Sequence, residues 1–266
     1  MTACRRRVGL AELRAEWTKA RTLAGTFWIV LAAVAVTVAV SVAVAAAVRC
    51  PSGGCAEDPG KISLTGIYLG QVVIAMLAVQ AVGGEYGTGM IRVTLAAMPR
   101  RTTVLGAKAA VTCGLALAAG AIAVAASLLA GRLILAGNGI DPAHGYPAVS
   151  LADGAVLRAA VGSVLYLALI ALLSLGVAAA VRDSAAAIGI VLGLLFLFPI
   201  VGAAVGDAQL DRHIQQIGPM TAGLAVQATT GLDQLPIGPW AGLGVLAAWA
   251  AAALLAGGLL LHRRDA

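Results

Sequence analysis

The sequence has 266 residues, of which 61% are hydrophobic and 11% are charged. Soluble domains carry about 25% charged residues, so this composition excludes an ordinary soluble protein. The alternating segments of about ten residues that outer-membrane barrels require are absent. We therefore predict an all-α polytopic membrane protein. The net charge of +6 comes largely from Lys and Arg residues beside apolar runs, where membrane topology explains them without nucleic-acid binding.

The first 26 residues are basic and precede the first apolar run. Leu13, Trp17 and Ala20 recur at spacings of four and three residues, which places them on one helical face. Glu16 and Lys19 lie on the rest of the helix. The pattern is typical of an interfacial amphipathic helix in the headgroup plane, with Trp17 at the interface; the alternative is a plain basic anchor. The following apolar run is too long for a signal peptide, so we expect a retained first span.

Six apolar runs are long enough to cross a hydrocarbon core of about 30 Å, which needs about 20 helical residues. We predict a single membrane domain over residues 1–266, with spans near 27–48, 62–84, 104–135, 155–181, 185–206 and 239–261. Residues 182–184 form a very short connection between the fourth and fifth spans. The longer segment 207–238 is predicted to contain a short interfacial or re-entrant helix within residues 219–230.

The distribution of basic residues predicts the orientation. Thirteen of the 18 Lys and Arg residues belong to the N-terminal segment, the connection after the second span, the turn after the fourth span and the C-terminal tail. The other five belong to the opposite side. Because Lys and Arg are enriched on the cytoplasmic side, we predict a multi-pass plasma-membrane protein with both termini in the cytoplasm.

The sequence argues against several kinds of site. Cys50 and Cys55 share a loop predicted to face outward, where they could form a disulfide or remain two free thiols. The sequence contains no HExxH motif or comparable pair of residues that would predict a metal site. The nucleotide motif GxxxxGK[ST] is missing, since Ile62 follows the only Gly-Lys pair, Gly60-Lys61. We therefore expect this chain to bind neither a metal nor a nucleotide by itself.

Residues 85–101, EYGTGMIRVTLAAMPRR, form the longest polar connection on the predicted cytoplasmic side. Glu85 and Thr88 can cap a short helix here, and Pro99 would end it. Such a helix would expose Arg92. Because the turn at 182–184 shows that topology alone needs no such length, we interpret segment 85–101 as a docking element for a soluble partner. The alternative is a charged turn that only fixes topology.

The pattern E-Y-x-x-G-x-I-x-x-T-L-x-x-x-P-R-R in segment 85–101, followed by Lys108, resembles the first cytoplasmic loop of ABC transporter permeases of the type-two exporter class. The N-terminal AELRAEWTKARTLAGTFW, the IGPMTAGLAVQ stretch and the basic C-terminal tail are similar to the same family. The resemblance implies a six-helix permease subunit that pairs with a second permease copy, identical or different. A separate cytosolic ABC ATPase would use ATP and Mg. The permease would be neither an enzyme nor a holder of cofactors.

The resemblance implies that segment 85–101 is a cytoplasmic coupling helix and that residues 8–24 are an interfacial connecting helix. Both would lie in or beside the headgroup region of the membrane lipid. It implies export of a substrate across the plasma membrane. Two alternatives are a transporter or channel without an ATPase, and a non-transporting membrane protein such as an immunity factor or scaffold. The roles expected in the segment are ATPase contact by Glu85 and Arg92, backbone shaping by Gly87, Gly89 and Pro99, and anchoring at the anionic leaflet by Arg100, Arg101 and Lys108.

Overall fold

The computed structural model describes residues 2–49, 58–87, 89–90, 101–140, 146–147 and 149–264; for residues 2–11, 101 and 264 it describes the backbone. The regular structure in these residues is helical throughout. The α-helices are α1 (Thr2–Thr22), α2 (Ala24–Ala47), α3 (Pro59–Ser63), α4 (Ile67–Gly87), α5 (Arg101–Gly137), α6 (Gly154–Val181), α7 (Ser184–Ala204), α8 (Ala208–Ile217), α9 (Pro219–Leu224) and α10 (Pro239–Arg264). Two short 3₁₀ helices cover Ala225–Gln227 and Leu232–Gln234.

Six of these helices, α2, α4, α5, α6, α7 and α10, are long and apolar enough to cross a membrane. The predicted all-α polytopic fold is thereby confirmed. The second span differs most from its prediction, because α4 begins at Ile67 rather than near residue 62. Pro59 instead opens the separate helix α3, and the Asp58 side chain caps it by accepting a hydrogen bond from the Lys61 amide at 3.1 Å.

Helix α6 lies at the centre of the bundle and packs against α4, α5, α7 and α10. Small residues set the closest approaches. A Cβ added at Gly176 of α6 would lie 2.5 Å from the backbone of Ala253 in α10. One added at Gly66, just before α4, would lie 1.8 Å from the backbone oxygen of Thr37 in α2. Such contacts are how membrane helices associate where lipid removes the hydrophobic driving force.

A buried polar pair joins two spans inside the bundle. Gln71 of α4 and Tyr166 of α6 are both inaccessible to solvent. The Tyr166 hydroxyl donates to Gln71 Oε1. Gln71 Nε2 donates to the backbone oxygen of Tyr68 at 3.1 Å and contacts the Met220 sulfur at 3.3 Å. The amide thus has partners at both of its polar atoms, as burial away from water requires.

The connection between α7 and α10 contains two different kinds of helix. Helix α8 has no buried residue, and its Leu210, Ile214 and Ile217 recur at helical spacing on one face. Helix α9 and the 3₁₀ turn after it are buried, with Met220 and Val226 inside the bundle. The predicted short helix within residues 219–230 is present as α9 and is buried inside the bundle. The sequence prediction missed α8.

The two ends of the bundle carry different polar contacts. At one end, the Thr229 and Thr230 amides donate to Asp58 Oδ2 at 2.6 and 3.1 Å, which fastens the segment after α9 to α3. At the other end, Arg182 Nη2 donates to the backbone oxygen of Leu260 in α10 at 3.3 Å. We call this second end the α1 end, because α1 packs there against the start of α5.

Candidate functional site

Four charged side chains meet at the α1 end: Glu16 and Lys19 from α1, Glu85 from the last turns of α4, and Lys108 from the first turns of α5. We call them the ion cluster. The helix ends that supply Glu85 and Lys108 flank residues 88–100, so both anchors of that connection belong to the cluster. The cluster therefore joins three chain segments around the interval that the sequence singles out.

Lys108 lies at the centre of the ion cluster. Its Nζ donates to Glu85 Oε1 at 2.7 Å, to Glu16 Oε2 at 3.0 Å and to the backbone oxygen of Ala81 at 3.0 Å. These three acceptors match the three N–H groups of an ammonium. Lys19 Nζ completes the cluster by donating to Glu85 Oε1 at 2.8 Å and Glu16 Oε1 at 3.3 Å.

The ion cluster holds two cations and two anions and is neutral as a whole. Lys108, Glu16 and Glu85 are only 4%, 7% and 9% exposed, and charges so buried are tolerated only when they are paired and hydrogen-bonded. Lys19 is the most exposed member. Burial disfavours its charged form, but the hydrogen bond from Lys19 to Glu85 and the charges of Glu16 and Glu85 outweigh burial. The two carboxylates therefore raise the pKa of Lys19 above its ordinary value.

Further contacts tie neighbouring elements to the same end. The Thr103 hydroxyl of α5 donates to Glu12 Oε1 of α1 at 3.0 Å, which gives these helices a second link. Arg182 ends α6 in a left-handed conformation with φ of 66°. Its guanidinium lies 5.5 Å from the centre of the Tyr86 ring, next to Glu85. The turn between α6 and α7 thus contacts both α4 and α10.

Helix α1 turns its acidic residues inward. Glu12 and Glu16 are buried, whereas Leu13 is half-buried and Trp17 is 46% exposed. The polar contacts therefore hold α1 against the bundle, and Trp17 is left on the outside where an interfacial helix would meet headgroups. The apolar residues are nevertheless too few along α1 for a strongly one-sided helix.

Two glycines lie where α4 ends, at the start of segment 85–101. Gly87 is the last residue of α4. Gly89 adopts a left-handed φ of 70°, and its amide donates to the Tyr86 backbone oxygen at 3.2 Å. Glycine is the residue that takes this conformation without steric cost, and it commonly does so just past a helix end.

Several predicted site residues lie outside the described part of the chain. They belong to the cysteine pair and to the central part of segment 85–101. The residues concerned are Cys50, Cys55, Thr88, Arg92, Pro99 and Arg100. For Arg101 only the backbone is described, and it opens α5.

Glu85 and Lys108 have surroundings that differ from those expected. Anchoring at an anionic leaflet needs an exposed ammonium, whereas Lys108 is buried and directs its donors to Glu16, Glu85 and Ala81. Glu85 was expected to reach a soluble partner, but its Oε1 accepts from both cluster lysines. The physical reason is that opposite charges from three helix ends meet there. These two residues hold the helix ends together instead of presenting charge at the surface.

The sequence prediction missed the residues that complete this site. It placed Glu16 on the polar part of the interfacial helix and gave Glu12, Thr103 and Arg182 no role in the site. One signal was present, because Glu12 and Glu16 are spaced by four residues and so share a helical face within an otherwise basic segment. Acidic residues grouped on one side of a basic helix indicate a cationic partner elsewhere in the chain.

No protein-family model matches this chain, and no curated protein matches it significantly. The interpretation of the site therefore depends on its residues and their geometry.

Proposed function

We propose that the chain is the membrane-spanning permease subunit of an ATP-driven exporter of the type-two ABC class. A separate cytosolic ATPase would hydrolyse ATP, and the chain would pair with a second permease copy. The protein would span the plasma membrane, and both termini and the α1 end would face the cytoplasm. The observation that carries the proposal is the ion cluster, which joins α1 to both helix ends that flank residues 88–100.

The ion cluster suits a segment that transmits force. Glu85 and Lys108 are in direct contact at 2.7 Å, and Lys19 and Glu16 bring α1 into the same contact. A displacement of residues 88–100 would therefore act on α1, α4 and α5 together. Packed elements transmit strain because they are dense and resist deformation. Closure of an ATPase dimer against this segment would shift three helices as one unit.

The middle of segment 85–101 and the helix ends beside it would have different roles. Arg92, with Arg100 and Arg101, would make the polar contacts to the ATPase and to the leaflet surface. Glu85 and Lys108 would pass the movement into the bundle. Thr88 and Pro99 would set the limits of a short helix between them. The substrate would cross between the two permease copies when they switch from inward-open to outward-open.

A pull-down of the tagged full chain from detergent tests the proposal. We expect a soluble protein with a Walker-type nucleotide site in stoichiometric amount. Its repeated absence would reject the ATPase partnership. Transport that continues unchanged after ATP depletion would instead favour the alternative of a carrier without an ATPase.

Two variants then separate docking from transmission. Arg92→Ala is expected to lose the ATPase in the pull-down. Glu85→Gln is expected to retain the ATPase but to lower the transport obtained per ATP hydrolysed. Lys61→Gln is a matched charge control, since Lys61 is exposed at the opposite end of the bundle. If Arg92→Ala retained both ATPase and transport, segment 85–101 would not be the docking element.

A further inference from the structure

A cavity of about 520 Å³ lies beside the ion cluster, and residues of α1, α2, α4 and α5 line it. Its volume falls within the range of about 300–1,000 Å³ that is common for small-ligand sites. Its charged wall consists of Glu16, Lys19, Glu85 and Lys108, and Met90 also lines it. Neither the pairing in the ion cluster nor the proposed export function accounts for this space.

The cavity is polar at one end and apolar at the other. Ile29, Leu77 and Leu115 line its apolar part. Leu115 lies seven residues beyond Lys108 on α5, which at 1.5 Å per residue places it about 10 Å from the charged wall along the helix. Leu77 lies eight residues before Glu85 on α4, which gives about 12 Å. A ligand that fits this space has a polar head and an apolar chain.

The four charges of the wall balance one another, but the most exposed of them, Lys19, favours an anionic head. The Lys19 side chain is 33% exposed, whereas the Glu16 and Glu85 side chains that pair with it are 9% and 11% exposed. The ligand-facing charge is therefore mainly the Lys19 ammonium. An ammonium binds phosphate oxygens through charge-assisted hydrogen bonds, while the buried carboxylates are poorly placed to receive a choline or an amine.

We propose that this cavity binds an anionic phospholipid of the surrounding membrane. Its position at the ends of three spans and under α1 places it at headgroup depth, where lipid is the most abundant amphiphile. In the orientation proposed above, Lys19 lies near the cytoplasmic surface, where a basic side chain attracts anionic headgroups. The phosphate binds at Lys19, and one acyl chain extends between α2, α4 and α5 towards Leu77 and Leu115.

Retained lipid measures this binding directly. The full chain is reconstituted in vesicles of equal parts phosphatidylglycerol and phosphatidylcholine, extracted in mild detergent, and its bound lipids are quantified by mass spectrometry. We expect the wild-type protein to retain phosphatidylglycerol in excess over its share of the vesicle. Retention at the vesicle ratio, or of no lipid, would overturn the proposal.

A glycine pair supplies a matched test of the site. Gly25 lines the cavity, and a Cβ added there meets no atom within 4 Å. Gly25→Phe should therefore fill the cavity and lower the retained phosphatidylglycerol. Gly114 has the same open surroundings but does not line the cavity, so Gly114→Phe should change nothing. Equal retention in the two variants would refute the location.

Two further variants test the head, and a third protects against misfolding. Lys19→Gln should lower the excess of phosphatidylglycerol about fivefold, the contribution of one basic residue near an anionic surface. Arg21→Gln, an exposed charge on the same helix but off the cavity wall, should not lower it. If Gly25→Phe fails to elute as the wild-type protein does, Gly84→Leu replaces it, because the nearest atom to a Cβ there is 3.6 Å away.

Discussion

Replacement of Lys108 by methionine tests whether the ion cluster stabilises the bundle. Methionine keeps much of the side-chain volume but removes the charge and the donors to Glu85, Glu16 and Ala81. The cluster then holds two carboxylates and only Lys19, so one buried negative charge is uncompensated. Removing one partner of a buried ion pair costs about 3–5 kcal/mol. Because Lys19 still contacts both carboxylates, we expect the lower end, about 3 kcal/mol.

Thermal unfolding of the purified chain in detergent measures this loss. A destabilisation of about 3 kcal/mol corresponds to a fall in Tm of roughly 6–12 °C for a chain of this size. Lys61→Met serves as the control, since Lys61 is exposed and such surface changes alter stability by at most about 0.5 kcal/mol. In the double variant Lys108→Met with Glu85→Gln, part of the loss should be recovered. Losses that add to within about 0.5 kcal/mol would refute direct coupling in the cluster.

Three other expectations follow from the same contacts and are checked by the same unfolding assay. Gly66→Ala should destabilise the bundle by about 1–3 kcal/mol, because its Cβ would lie 1.8 Å from the Thr37 backbone oxygen; a Tm like that of the wild type would contradict this packing. Tyr166→Phe should cost about 1–3 kcal/mol by leaving the Gln71 oxygen without its donor, whereas the double variant with Gln71→Leu should cost less than that single variant. The raised pKa of Lys19 means that its stabilising contacts persist below its unfolded value of 10.5 and disappear only as pH rises through the higher folded value. The Tm difference between wild type and Lys19→Gln should therefore be constant between about pH 7 and 9, and a difference that shrinks in that interval would refute the assignment.

The spans could be predicted from the sequence because the signal for each is local. An uninterrupted apolar run of sufficient length identifies a membrane helix whatever it packs against. The second span was misplaced for an equally local reason. Asp58 followed by Pro59 is a helix-start signal, and it opens the separate helix α3, which ends at Ser63 before α4 begins at Ile67. The sequence prediction missed helix α8 because the three apolar residues of this helix lie among polar ones, so the overall composition of the segment hides their helical spacing. These residues are Leu210, Ile214 and Ile217.

The ion cluster could not be predicted because its members are distant in sequence. Lys108 contacts Glu16 across 92 positions, and Lys19 contacts Glu85 across 66. The rule that relates basic residues to topology counts each Lys or Arg at the membrane edge in the same way. It cannot distinguish a lysine that reaches the headgroups from one that is neutralised by a carboxylate on another helix. That distinction needs the helices to be placed.

The placement of these charges bears on the choice between a topological turn and a docking element. A turn that only fixes topology is served by exposed basic residues, which need no partners. At the α1 end, however, Lys108 is buried and its three donors are used, and the two carboxylates that it contacts come from different helices. Burying the charges of Glu16, Glu85 and Lys108 brings a desolvation penalty that apolar residues of the same size would avoid. Such an arrangement is better suited to fixing the register of α1, α4 and α5 where α4 ends and α5 begins, as the proposed coupling role requires.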